Sequence, residues 1–128
     1  MPSLLRQRQE YHRDKKLRDL ARGAPCLAGF PGCNHDPATV VWCHSNQSKH
    51  GKGGSIKAHD CFGFLGCSVC NGPDKRERAE REEAENTAMA RTRHWLVISG
   101  AIVGADTLDV RDDTRWLGGW LSGKIRVK

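Results

Sequence analysis

The chain has 128 residues, 38% of them hydrophobic and 28% charged, six cysteines and a formal charge of +6. That size makes one domain with a small core the expectation and leaves little apolar area to offset the entropy of ordering the backbone. The opening MPSLLRQRQEYHRDKK lacks the apolar run of a secretory signal and no later segment reaches membrane-spanning length, so a cytoplasmic protein without a membrane partner is expected.

Leu4, Leu5, Tyr11, Leu17, Leu20 and Ala21 recur at roughly helical spacing, and Gly23 with Pro25 ends the pattern, which predicts an amphipathic helix over residues 1–24. Residues 1–25 carry seven basic and three acidic side chains. A basic arm of this kind suits a phosphate-backbone partner, because each neutralised phosphate releases counterions. CLAGFPGC, Cys26 to Cys33, is glycine- and proline-rich and predicts a tight knuckle. TVVWCH, Thr39 to His44, is β-branched and aromatic and predicts a strand ending at His44. Ser45 to Ala58 is polar, glycine-rich and aperiodic, which predicts a long loop. CFGFLGC, Cys61 to Cys67, reads as a second strand completing a hairpin.

Asn71-Gly72-Pro73 punctuates the chain, and strong helix formers then predict a long helix over 74–103, with Ala84, Ala88, Trp95, Ile98 and Ile102 along one face. Residues 105–128 offer short apolar pieces around Trp116, Trp120 and Ile125 without an assignable role. The organisation expected is a basic N-terminal helix (1–24), a metal-binding domain (25–104) and a tail (105–128).

In a reducing compartment cysteines read as metal ligands or buried thiols rather than disulfides. Cys67 and Cys70 have the two-residue spacing that lets both thiolates of one turn reach an ion, and Cys26 with Cys33 offers a second pair. Four thiolates suit tetrahedral Zn2+. Such a closed site keeps no position for water, so the zinc is expected to be structural. Cys43 and Cys61 are left as structural thiols facing each other across the hairpin, the alternative being that one of them replaces Cys33 as a ligand. His44 at a strand end, His50, Lys57, His59 and Asp60 in or after the loop, and Asn71 beside the second cysteine pair form an ordered polar set around the same point.

Three segments in order, RDLARGAPCLAGFPGCNHDPATVVWCH, SIKAHDCFGFLGCSVCN and MARTRHWLVISGAIV, resemble the small nucleases of lambdoid phages and prophages, the YbcO-like family, related in pattern to HNH (His-Me finger) endonucleases. The resemblance spans about Arg18 to Val103. It implies an α+β fold: a zinc-stapled ββα-metal, treble-clef-like core with an N-terminal helix and a long helix after the zinc knuckle. It also implies DNA cleavage in the cytoplasm of a bacterial host. His44 matches the general base, Asp60 the position that orients that histidine or helps hold a cation, and Asn71 the last, cation-ligating position. An imidazole suits the base because its ordinary pKa lies near neutrality. A catalytic Mg2+ or Mn2+ is expected on Asp60, Asn71 or His50, and phosphate contacts from Arg18, Arg22, Lys49, Lys52 and Lys57.

Two positions depart from the pattern: Cys43 stands where many relatives carry an acidic metal ligand, and Asn71 where many carry histidine. These departures support the alternative of a zinc-stapled DNA-binding or recombination accessory protein without catalysis. A protein-interaction module using Trp116 and Trp120 is a third reading.

Overall fold

The computed structural model describes residues 11–128. Leu4, Leu5, Arg6 and Arg8 lie outside them, so the expected N-terminal helix is described only from Tyr11 onward. There the helical part is α1, Lys15–Asp19, capped by Asp14, whose side chain accepts from Leu17 N–H. Leu17 from this helix is fully buried.

The centre is a two-stranded antiparallel hairpin, β1 (Val41–His44) with β2 (Gly63–Gly66), in the register Val41 to Gly66 and His44 to Gly63. Glycine at position 63 has a steric reason: the Trp42 indole lies where a Cβ would stand. Both strands are shorter than the sequence predicts because their outer residues turn away to other partners. The other edge of β2 is also covered, since Leu65 N–H donates to Thr92 Oγ1 at 3.1 Å and its carbonyl accepts from Leu27 N–H at 2.9 Å. The long loop is not featureless, as it contains a 3-10 turn, Ser48–His50.

Helix α2 runs Arg78–Ile98 and packs across β2. It starts four residues later than the predicted 74 because Asp74 folds back to accept from Arg76 N–H and its guanidinium, closing a turn after Pro73. It ends five residues before the predicted 103, where Gly100 adopts φ +74°, a conformation that stops a helix. Ile102–Val103 is a short strand, β3, not helix. The predicted apolar face is also rotated. The buried residues are Glu85, Ala88, Met89, Thr92, Arg93 and Leu96, while Ile98 is 67% exposed. Three polar side chains face inward, so hydrophobic periodicity alone misses the face.

The tail is part of the core. Helix α3 (Asp113–Leu121) buries Trp116 and Trp120, and β4 (Arg126–Val127) pairs with β3. Trp116 Nε1 donates to the Cys61 carbonyl at 2.8 Å, tying residues 105–128 to the centre rather than leaving a separate tail. The two tryptophans expected as an interaction surface are 1% and 5% exposed. Among the described residues, no helix is long and apolar enough to cross a membrane.

Candidate active site and metal centre

Cys26, Cys33, Cys67 and Cys70 converge, with all four sulfur atoms within 4.8 Å of one another. Cys26 to Cys33 is 3.6 Å, Cys33 to Cys67 3.7 Å and Cys26 to Cys70 3.8 Å. A tetrahedron of sulfurs about 2.3 Å from a zinc ion has edges of about 3.8 Å. The cluster therefore fits a tetrahedral metal ion such as zinc. Backbone N–H groups of Phe30 and Cys67 donate to Cys70 Sγ at 3.4 Å and Cys26 Sγ at 3.2 Å, an arrangement that favours thiolates. Burial works against ionisation of Cys67, but N–H donors outweigh it and bring its thiol to about 6, whereas Cys70 is pushed up by burial and by its neighbouring sulfurs.

Cys43 and Cys61 are buried outside this cluster. They do not face each other, because the cross-strand partner of Cys43 is Phe64. Burial pushes the Cys43 thiol up to about 12 and raises that of Cys61 as well, which disfavours the thiolate at both positions. Cys33, and neither of these two, belongs to the cluster that could hold a metal ion.

His44 and Asp60 meet. The hairpin brings the end of β1 beside the residue that leads into β2, and His44 Nε2 lies 2.7 Å from Asp60 Oδ1. Asp60 is 1% exposed. Its other oxygen accepts from Asp14 N–H at 2.6 Å, and Arg13 and Arg18 approach the two oxygens at 3.4 Å. Burial opposes ionisation here, yet the bonds from His44 and Asp14 and the charge of Arg18 hold the carboxyl below the usual aspartate range. An ionised Asp60 can only accept, so His44 carries a proton on Nε2, and in the neutral ring that tautomer leaves the lone pair on Nδ1. Trp42 Nε1 donates to the Asp60 carbonyl at 2.8 Å and fixes this residue from the core side.

His44 lines an open cavity of about 630 Å³ together with Asn71, Glu82, Glu85, Arg78 and Arg81. The last four come from α2 and are not singled out by the sequence, where they sit in a mixed-charge run that reads as a solvated face. Glu85 is 7% exposed. It accepts from Ser45 Oγ at 3.0 Å, Asn46 N–H at 3.1 Å and Gln47 Nε2 at 2.9 Å, clamping the chain just after His44 onto the helix.

The three residues expected to share a catalytic cation are not gathered. Asp60 has both oxygens engaged by donors, two of them arginines. His50 is buried with Nδ1 2.6 Å from Ser45 Oγ and Nε2 2.8 Å from Asp113 Oδ2, so neither nitrogen is available to an ion. Asn71 alone of the three lines the cavity. The expected phosphate-binding residues are dispersed. Arg18 is beside Asp60, Arg22 and Lys57 are exposed on the surface, Lys52 bonds the Gly54 carbonyl, and Lys49 lines a separate small cavity with Arg93, Arg111 and Asp113.

A family model described as "Putative nuclease YbcO" matches residues 15–100. Among solved structures, a protein described as a putative bacteriophage protein from Escherichia coli K-12 superposes with a TM-score of 0.50 at 27% sequence identity, covering 65% of this chain and 98% of that one. No curated protein matches. The matched span begins at α1, takes in both cysteine pairs and the His44–Asp60 pair, and ends just beyond α2; on that extent the chain belongs to the YbcO family.

Proposed function

We propose that the chain is an HNH-type, metal-dependent endonuclease that hydrolyses phosphodiester bonds in DNA, encoded by a phage or prophage. One observation carries this reading: a histidine held through Nε2 by a buried carboxylate at 2.7 Å, on the wall of an open cavity that also presents two arginines. That is the equipment of a general base acting on a charged substrate.

In this reading Arg78 and Arg81 draw a backbone phosphate into the cavity. His44 Nδ1 takes a proton from the attacking water, and Asp60 holds the ring in the required tautomer while stabilising the imidazolium that forms. Arg13 and Arg18 balance the Asp60 charge from the solvent side. The side-chain oxygen of Asn71 is a hard donor on the same wall that could hold Mg2+ or Mn2+ completed by water and substrate phosphate, while Glu85 stays engaged with the loop after His44. Bound there, the cation supplies polarisation of the scissile phosphate and stabilisation of the leaving oxygen. The four-cysteine cluster holds zinc as a fold staple and takes no part in hydrolysis.

Purified protein is expected to nick plasmid DNA with Mg2+ or Mn2+, and His44→Ala to abolish nicking with the zinc content unchanged. Equal cleavage by the variant would sink the assignment. The alternative, a DNA-binding accessory protein without catalysis, is favoured by one feature: Cys43, at the position of the usual acidic ligand, is a buried thiol whose ionisation burial disfavours. That alternative predicts DNA binding that survives His44→Ala and no cleavage by wild type with any divalent metal.

A further inference from the structure

The loops of the four-cysteine cluster leave an apolar hollow open beside the cavity of His44. Phe30, Pro31, Val69 and Pro73 line this hollow of about 320 Å³, and Lys75 and Arg76 bring positive charge to it. It is continuous with the larger cavity, since Phe30, Cys70, Gly72, Pro73 and Asp74 line both. Val69 is 42% exposed, and Pro31 and Pro73 are exposed as well. Apolar side chains gathered around a concavity and left open to water mark a surface built for a ligand.

The cluster itself fixes the walls. Phe30 lies between Cys26 and Cys33; its N–H donates to Cys70 Sγ at 3.4 Å and its carbonyl accepts from Cys33 N–H at 2.9 Å. Val69 lies between Cys67 and Cys70, and its carbonyl accepts from Gly72 N–H at 3.0 Å. Phe30 also packs on Phe64 of β2, with ring centroids 5.5 Å apart, which ties the hollow to the hairpin. The Arg76 guanidinium lies 5.1 Å from the centre of the Phe30 ring and pairs with Asp74 at 2.7 Å. That pair cancels the Asp74 charge in the lining and leaves the positive charge of Lys75.

These features fit one occupant. With a backbone phosphate drawn into the adjoining cavity by Arg78 and Arg81, the group tethered within reach of the shared wall is a base of the same strand. An aromatic ring, two prolines and a valine offer contact to the flat face of a base, and the positive charge suits the phosphates that flank it. A volume of about 320 Å³ lies at the small end of ligand pockets, about 300–1,000 Å³, and matches a single base better than a larger ligand. In a paired duplex no base is free to enter, because each is stacked and paired inside the helix. We propose that the hollow receives an unstacked nucleobase beside the bound phosphate, so that the substrate class is DNA with unpaired nucleotides. This rests on the endonuclease reading and deepens it, and it gives the cysteine cluster a part in shaping the substrate site.

The test is DNA binding by the full chain, with zinc content checked, read by fluorescence anisotropy at fixed salt without added divalent metal. The probes are two short duplexes of equal length and charge carrying one 2-aminopurine, either paired with thymine or opposite an abasic position. The unpaired probe is expected to bind about 10-fold more tightly, with a change in 2-aminopurine emission that the paired probe lacks, because an unpaired base costs least to extrude. Phe30→Ala should remove most of that advantage, since one base–aromatic stack is worth about 5-fold or more in affinity, and should leave the paired duplex within about twofold. Phe30→Leu, which keeps an apolar side chain against Phe64, should do the same and serves if Phe30→Ala fails to fold; Phe30→Trp should retain most of the preference. Equal affinity for the two probes, or a preference unchanged in Phe30→Leu, would overturn the base site. A second copy of the chain seated in the hollow would appear as a dimer in sedimentation that Phe30→Leu dissolves, and would overturn it too. No cleavage with any divalent metal, with the preference intact, would remove the endonuclease reading and leave the base site standing. No binding to either probe would overturn both.

Discussion

Replacing Asp60 by asparagine tests the geometry of the site and the source of its stability together. The carboxylate accepts from His44 at 2.7 Å and from Asp14 N–H at 2.6 Å in a 1% exposed position. Charge-assisted bonds of this kind contribute about 1.5–3 kcal/mol each, and asparagine retains one of the two as a neutral bond. Arg13 and Arg18 are 39% and 43% exposed at 3.4 Å, so their share is discounted to less than about 1 kcal/mol. The expected loss is about 2–4 kcal/mol at neutral pH, on the order of 10 °C in Tm for a chain of this size. Catalysis should suffer more. The asparagine amide presents an N–H to His44 Nε2, which moves the ring proton to Nδ1 and removes the lone pair that takes a proton from water, at a cost on the order of 10²–10⁴ in kcat. The pH dependence gives an independent check. The folded-state pKa of Asp60 is depressed, so its stabilisation is fully present above the unfolded value, about 3.9, and is lost as pH falls through the lower folded value. The Tm gap between wild type and Asp60→Asn should therefore narrow below about pH 4. Both proteins share the same metal centre, so the difference between them isolates the carboxylate. Circular dichroism melts from pH 7 to 3 and plasmid-nicking rates measure both effects. A kcat within about twofold of wild type, or a Tm gap that stays constant into acid, would refute the reasoning.

The metal cluster should bind about one zinc per chain by elemental analysis, and Cys67→Ser or a strong chelator should unfold the hairpin, seen as loss of near-ultraviolet circular dichroism. Trp116→Ala should cost about 3–5 kcal/mol in denaturant melts although it lies outside the family match, because it removes a 1% exposed indole that also bonds Cys61. The double replacement Arg78→Ala and Arg81→Ala should weaken DNA binding and make the log–log salt slope shallower by about 2, measured by fluorescence anisotropy across salt. An unchanged slope would remove these arginines from the phosphate-binding role.

What was legible in the sequence follows how local each signal is. The cysteine pairs announce themselves, since the spacing between Cys67 and Cys70 favours a turn that aims both thiols at one point, where a metal ion could be held. The link between His44 and Asp60 is what the family resemblance implies, and the structure brings them together because strand pairing sets the end of β1 beside the start of β2. Glu85 was hidden: in RAEREEAEN it looks like any solvated glutamate, and only the approach of Asn46 and Gln47 from the loop makes it a buried clamp. The engagement of both His50 nitrogens is hidden for the same reason. Its partner Asp113 is 63 residues away, on a helix whose role depends on filling the core with Trp116 rather than on any pattern of its own. The ends of α2 are set by Asp74 turning back on Arg76 and by β3 pairing with Arg126–Val127, the second of which no local propensity encodes.

The indole of Trp42 has a practical use. It is buried against Gly63 in the hairpin, and its N–H points at the carbonyl of the residue whose side chain holds His44. Indole emission responds to the hydrogen bond and local field at that nitrogen. A ligand that shifts Asp60 is therefore expected to change the light Trp42 emits, so that the protein would report occupancy of its own site without an added label.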